Sequence, residues 1–405
     1  MAGHILVLNT GSSSIKYELV DVETHERPAG GLVERIGEET GRLIHRTGDR
    51  PPYVRERPFP RHGEGLDAMM DAFAAAGPEL EPVAVGHRIV HGGTRFTEAV
   101  LIDDDVVAAI EELAPLAPLH NPVNLTGIRV ARKAFPEVPQ VAVFDTAFHR
   151  TLAPEAYTYA VPREWGVRRF GFHGTSCAYV SRRAATFLRR DLADLNLIVL
   201  HLGNGASATA VSGGRSIDTS MGMTPLEGLV MGTRSGDVDP ALTGYLARVN
   251  GLDAQQVEHA LTHHSGLLAL AGTGDMREVR ARDDDAARLA LDIYTRRIRK
   301  YVGAYYALLG RVDAIVFTGG VGEHDPATRA ESLTGLERLG IAVDQALNQA
   351  DTAGERPVSP AGAEVPVLVI PTNEEWEIAR QAHALVSPIA IPPTGHPPVQ
   401  GDVPA

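Results

Sequence analysis

Apolar residues gather in short continuous runs separated by longer stretches of helical spacing. Ile5–Leu8, Val83–Val90, Val141–Phe144, Leu197–Leu202, Ala314–Phe317 and Val367–Ile370 are bounded by Gly or Asn and read as buried strands. Between them the acidic start Asp103–Asp105 precedes Val106, Val107, Ile110 and Leu113 at helix-face spacing, a predicted helix. The stretch Asp285–Leu309 carries Leu289, Ile293, Ile298, Tyr301, Val302, Tyr305 and Leu308, expected on one broad core-facing side of a long helix. Alternating strands and helices predict an α/β fold.

One pattern occurs twice. Ile5–Ser14 is an apolar run entering a small polar Gly loop, followed by the alternating Ile15–Val20; Leu197–Ser207 does the same before Ala208–Val211. The repeat predicts two domains of similar topology, each presenting a loop of phosphate-binding size. A third strand-to-Gly junction lies at Ala314–Glu323. The expected division is an N-terminal domain over 1–149 and a nucleotide-binding domain over 150–374. A helix near 375–386 would pack back on the first domain, and a Pro-rich, disordered tail would fill 387–405.

The 405 residues also suit two domains of roughly 150 residues or more. A formal net charge of −13 argues against non-specific nucleic-acid or anionic-membrane binding. The single cysteine, Cys177, excludes an intrachain disulfide and fits a reducing cytoplasm. No apolar run approaches the ~18–20 residues of a membrane span, so a soluble, untargeted chain is expected. Of 38 basic residues only Lys16, Lys133 and Lys300 are lysines, which makes Lys16, just beyond the first Gly loop, a candidate phosphate contact.

Gly203–Ala208 fits a G-x-G-x-x-A dinucleotide fingerprint, but the helix that should follow is replaced by a strand-like alternation. No P-loop motif is present. Two Gly/Ser hairpin loops could instead clamp a polyphosphate with backbone N–H groups and the hydroxyls of Ser12 and Ser14. Arg88, inside an apolar run, requires an anionic partner, and Arg234, in Gly232–Gly236, sits in a flexible setting suited to a moving phosphoryl group. Asp145 and Glu374 each follow a strand and are candidate carboxylates for Mg²⁺. His173 and His120 are loop histidines flanked by turn formers. A zinc site from His173 and Cys177 is disfavoured because no second ligand pair accompanies them.

Ten segments in order, among them Leu8–Tyr17, Gly86–Gly93, Leu119–Pro122, Phe144–His149, Phe170–Ser176, His201–Ser207, Asp218–Gly228, Met231–Arg234, Phe317–Glu323 and Pro371–Glu375, resemble the acetokinase family, the acetate and propionate kinase group. They span residues 5 to about 385. The resemblance implies the actin, Hsp70 and sugar-kinase fold: two ribonuclease-H-like domains with an interdomain nucleotide cleft, usually in a homodimer. It implies reversible phosphoryl transfer from ATP to acetate, giving acetyl phosphate and ADP by direct in-line transfer with Mg²⁺, Mn²⁺ being an alternative ion.

Carried over position by position, Arg88, Asp145, His173 and Arg234 would be catalytic, with His173 and Arg234 stabilising the transition state. Asn9 and Glu374, with Asp145, would serve the metal. Ser12, Ser14 and Lys16 would form the first ATP loop; His201, Gly203, Asn204 and Gly205 the second; and Asp275, Met276, Arg277, Gly320, Val321 and Gly322 the nucleoside pocket. Val90, Leu119, Phe172 and Pro225 would hold the acyl group, and Val90, where propionate-preferring relatives have a smaller side chain, favours acetate. Gly320 keeps the nucleoside side open. Three positions depart from the family pattern: Cys177 for a histidine, His324 for an asparagine and Met276 for an aromatic residue.

Acetate carboxylate is itself the nucleophile, so alignment and charge neutralisation suffice. The near alternative is a propionate or butyrate kinase of the same fold. An Hsp70-like binding protein is disfavoured because only about 20 Pro-rich residues follow the last matching segment, and a dehydrogenase because its fingerprint helix is missing.

Overall fold

The structure, a computed structural model, describes residues 3–118 and 120–387. Leu119 and, apart from Ser387, the segment 387–405 expected to be disordered lie outside the described residues.

Eight strands make one sheet: β1 (His4–Gly11), β2 (Ser14–Asp21), β3 (Ala29–Glu34), β4 (Gly41–Thr47), β5 (Tyr53–Arg57), β6 (Ala84–Ile89), β7 (Val100–Leu101) and β8 (Gln140–Phe144), ordered β5-β4-β3-β2-β1-β6-β8-β7. Six make a second: β9 (Asn196–Leu202), β10 (Ala206–Ser212), β11 (Arg215–Thr219), β12 (Ala314–Thr318), β13 (Arg356–Pro357) and β14 (Val367–Val369), ordered β11-β10-β9-β12-β14-β13. The unit β3-β2-β1-β6-β8 recurs as β11-β10-β9-β12-β14. In each copy two antiparallel pairings flank one side of the first strand and two parallel pairings the other. This duplication is the two-domain α/β architecture that the sequence repeat predicts.

The Gly loops open both copies. β1 turns into β2 with Gly11 opposite Ser14, and β9 into β10 with Leu202 opposite Ala206. Gly203–Gly205 therefore closes a hairpin rather than starting a helix. The third junction behaves differently: β12 runs into the short helix Gly319–His324, with Gly319 at φ +77°.

Strand alternation assigns the layers. On the first sheet Leu6 and Leu8 face Leu66, Met69 and Phe73 of helix His62–Ala76, while Ile5 and Val7 face Ile378, Ala379 and Ala382 of helix Glu374–Val386. On the second, Ile198, Leu200 and Phe317 pack with Ile298 and Val302, whereas Val199 and Val316 meet Cys177, Val180 and Ala184 of helix Gly174–Leu188. The last described helix thus lies on the first sheet although it follows the second.

Helix Asp285–Leu309 has the predicted bounds; Asp284 caps it by accepting from the Ala287 N–H, and Gly310 ends it. Its buried face is Ala287, Ala290, Tyr294, Thr295, Ile298, Val302 and Tyr305. Leu289 and Leu308, expected toward the core, are 56% and 59% exposed. At 3.6 residues per turn Leu289 falls on the side opposite Ile298, and Leu308 lies in the last turn, off the stripe.

Candidate active site

The carboxyl ends of β1, β6 and β8 lie side by side, because Leu8 pairs with His87 and Ile89 with Phe144. That register brings Asn9, Arg88 and Asp145 together, as expected for ligand-bearing strand ends. Arg88 is ion-paired with Asp145, 2% exposed, and its Nη1 approaches Asn9 Oδ1 at 3.4 Å. Glu374, first residue of its helix, sits 3.8 Å from Arg88 Nε. The anionic partner demanded by burying Arg88 is therefore this carboxylate pair. Burial opposes the guanidinium charge, but Asp145 and Glu374 outweigh it and raise the Arg88 pKa. Burial, with Asp145 and Glu375 nearby, pushes Glu374 up to about 7 against the pull of Arg88.

His173 caps helix Gly174–Leu188 in a left-handed conformation, φ +58°, costing about 1 kcal/mol for a non-glycine residue. The Gly174 N–H donates to the Asp145 carbonyl at 2.9 Å, and Thr175 Oγ1 donates to Asp145 Oδ1 at 2.9 Å. Asp145 and His173 are thereby locked to one turn. His173 Nδ1 lies 2.9 Å from Ser207 Oγ, and its ring stacks on His201 with centroids 4.2 Å apart. Burial, then His201, Arg88 and Arg234, hold the His173 pKa well below its ordinary value; burial lowers His201 to about 4. Both imidazoles are neutral at pH 7.

Arg234 comes from a loop that its Gly-rich sequence predicts to be flexible but that is pinned: Ser235 N–H donates to Leu261 O at 3.0 Å and Thr233 Oγ1 to Thr262 O at 3.0 Å. Arg234 Nη1 donates to the Pro225 carbonyl at 3.2 Å and touches Met231 Sδ at 3.7 Å. Among the described residues it has no carboxylate partner, and burial lowers its pKa. A methyl group on Gly205 would lie 3.5 Å from both Arg234 Nη1 and His173 Nε2, so Gly205 leaves open the space on which these groups converge.

Beyond Gly203 and Asn204 a cavity of about 510 Å³ is bordered by Asp275, Met276 and Arg277 on one side and Gly320, Val321 and His324 on the other. Its volume suits a nucleoside. Nothing would obstruct a side chain at Gly320, which agrees with an open mouth. Asp275 and Arg277 pair with each other at 3.0 Å at the rim, and Met276 is buried. Gly322 is buried beneath this wall, a Cβ there lying 3.5 Å from the Phe317 backbone. Tyr294, whose hydroxyl has no partner among the described residues, also borders the cavity.

Three residues assigned to the first ATP loop stand apart from this cavity. Ser12 borders a different one of about 580 Å³ with Gly37, Arg61 and His62. Ser14 closes the hairpin opposite Gly11, and Lys16 Nζ is engaged by Glu375 Oε1 at 2.5 Å. Val90 and Phe172, from the acyl set, are buried in one hydrophobic cluster with Ala117; Pro225 is tied to Arg234 as above.

Cys177 is buried with Sγ toward Thr209 Oγ1 at 3.6 Å, away from His173's partners. His120, a loop histidine in the sequence, lies within electrostatic reach of Arg88 and Arg234: its pKa is lowered by burial and then by these two guanidinium groups. Ser176, Thr372 and Glu323 were also missed. Ser176 Oγ lies 2.8 Å from His201 Nδ1 and 2.7 Å from Thr372 Oγ1. Glu323 Oε1 accepts from Gly319 N–H at 2.9 Å and Thr372 N–H at 3.1 Å. In the sequence their signal is their place inside the segments Phe170–Ser176, Pro371–Glu375 and Phe317–Glu323.

A family model described as "Acetokinase family" matches residues 4–380. A curated acetate kinase of Clavibacter michiganensis is 57% identical over 390 residues, 94% of this chain and 98% of the relative. One of Streptomyces coelicolor is 55% identical over 398 residues, 95% and 97% of the two chains. The crystal structure of Porphyromonas gingivalis acetate kinase superposes with a TM-score of 0.90 at 41% identity, covering 95% of this chain and all of that one. A propionate kinase from Francisella tularensis gives 0.89 at 40%, covering 94% and 99%.

Proposed function

The chain belongs to the acetokinase family, and on that basis we propose that it transfers the γ-phosphoryl group of ATP to acetate, yielding acetyl phosphate and ADP reversibly. A carboxylate oxygen of acetate attacks phosphorus, the bond to the β–γ bridging oxygen breaks, and ADP carries away its electrons. No proton need move, because the acceptor is already ionised.

The observation that carries this reading is the half-buried Arg234, without a carboxylate partner among the described residues, directed with His173 Nε2 at the space beside Gly205. An unpaired, partly desolvated cation favours an anion there, and charge spread over a transferring phosphoryl group is such an anion. Neutral His173, with Nδ1 accepting from Ser207, would donate from Nε2 to a phosphoryl oxygen. Arg88 would neutralise the acetate carboxylate. The nucleoside would fill the 510 Å³ cavity, its phosphates reaching past Gly203–Gly205.

Asn9, Asp145 and Glu374 present oxygen donors only, the hard set that suits Mg²⁺. Among the described residues no cluster of three or more His, Cys, Asp or Glu could hold a metal alone. The protein would contribute one or two ligands, leaving the remainder to nucleotide and water. The elevated Glu374 pKa fits a carboxylate awaiting a cation. When bound, Mg²⁺ would neutralise phosphate charge.

The protein would act as a cytoplasmic homodimer. Helix Leu242–Asn250 buries none of its residues, while Tyr245 and Val249 are 53% and 61% exposed, an apolar face that a second copy would cover. No described helix is long and apolar enough to cross a membrane.

The test is acyl phosphate formation from Mg²⁺-ATP with acetate, propionate and butyrate in parallel. Highest kcat/KM with acetate is expected. Preference for a longer acid would assign the protein to propionate or butyrate, and absence of any acyl phosphate would overturn the reading.

A further inference from the structure

Behind the nucleotide cavity lies a second one of about 440 Å³, bordered by Arg329, Arg356, Asn348, His324 and Asp351. His324 borders both. Arg329 is 1% exposed. Its Nε donates to Asn348 Oδ1 at 2.7 Å, Nη2 to Asn348 O at 2.8 Å, and Nη1 to the carbonyls of Gly322 and Glu323 at 2.9 and 3.0 Å. Arg356 Nη2 donates to the Glu323 carbonyl at 3.2 Å and Nη1 to Gly354 O at 3.1 Å, while its buried Nε has no partner among the described residues.

Neither guanidinium has a carboxylate within ion-pair distance among the described residues, and the nearby acids are committed elsewhere. The Glu323 carboxylate accepts from the Gly319 and Thr372 amides, Glu355 pairs with Arg183, and Asp325 pairs with Arg280. Asp351 lies on the exposed rim without an ion pair. The Glu323 carbonyl that the two arginines share, and the Gly322 carbonyl beside it, lie in the last turn of the helix Gly319–His324. A helix terminus offers roughly half a negative charge, against two positive ones. Burial, with Arg356 beside it, lowers Arg329 to about 10, the sign expected of uncompensated charge.

We infer that this cavity is a binding site for a small tetrahedral oxyanion, inorganic phosphate or the phosphate of a small monoester, received by Arg356 and backed by the buried charge of Arg329. Arginine donors in a fork match such a ligand.

The test is calorimetric titration of inorganic phosphate into the full chain carrying Arg234→Ala, which removes the cation proposed for the transferring phosphoryl group. Parallel arms use glycerol phosphate and sulfate. Binding of these tetrahedral anions is expected, weakened at least about tenfold by adding Arg356→Gln and partly restored by Arg356→Lys. Phosphate against monoester decides which source fits. No binding in Arg234→Ala protein, or the same affinity with Arg356→Gln, would overturn the site. Neither readout depends on catalysis, so its failure and that of the proposed activity are separable.

Discussion

His173 and His201 stack with ring centroids 4.2 Å apart and planes inclined by 28°, each fixed at Nδ1 by a serine, Ser207 and Ser176 respectively. Two protonated imidazoles could not share this separation, and burial, the largest cause, favours the neutral form of each ring. Since His201 titrates near 4 and His173 well below its ordinary value, kcat is expected to show no histidine limb between about pH 5 and pH 8. His173→Gln should lower kcat by about 10²–10³-fold with little change in the KM for acetate. A kcat within a few-fold of the parent would remove His173 from the transition state.

Arg234 is expected to separate activity from stability. Arg234→Ala should depress kcat by about 10³-fold or more while the KM for ATP moves little. Because the half-buried guanidinium has only a carbonyl and a thioether for company among the described residues, its removal should leave the thermal midpoint of the free protein unchanged or raised. Steady-state kinetics and calorimetry on one preparation check both halves.

Glu374 should govern how pH and Mg²⁺ act together. Its pKa is raised from 4.5 to about 7 in the fold, so folding favours its protonated form. That contribution is complete below the unfolded value and is lost as pH rises through about 7. The metal-free protein should therefore lose stability across this window, and Glu374→Gln should flatten the slope. A cation needs the ionised carboxylate, so stabilisation by Mg²⁺-ADP should be greater near pH 8 than near pH 6. An identical increment at both pH values would exclude Glu374 as a metal ligand.

Val90 is buried together with Phe172, and the acyl-pocket reading makes it a limit on chain length. Val90→Ala should improve kcat/KM for propionate relative to acetate by about tenfold, the range worth one methylene. An unchanged ratio, measured by acyl phosphate formation, would place the selectivity elsewhere.

Tyr245→Glu with Val249→Glu should convert a dimer to monomer in light-scattering chromatography, since charged groups on the exposed face of helix Leu242–Asn250 oppose burial of that face. A doubly substituted protein still dimeric would move the interface to another surface.

Local pattern determined much of this protein. Continuous apolar runs located the strands, the repeated Gly loop foretold the duplicated sheet, and the periodicity of Asp285–Leu309 marked its longest helix with both ends. Such signals are short-range, because one strand or one helix must bury a face wherever it finally packs. Tertiary structure decided which face: Leu289 and Leu308 were apolar yet exposed, a distinction that depends on what lies across from each turn. It also decided the partners. Arg88 signalled that it needed an anion, but only the parallel register of β6 and β8 and the return of helix Glu374–Val386 onto the first sheet supplied Asp145 and Glu374. Lys16 stood out as a rare lysine beyond the first Gly loop, and only that same helix brought Glu375 to it. Ser176, Thr372 and Glu323 fall inside the matching segments, but their roles were not legible there because a hydroxyl or carboxylate acquires its role from the atom opposite, and those atoms come from strands and loops far apart along the chain.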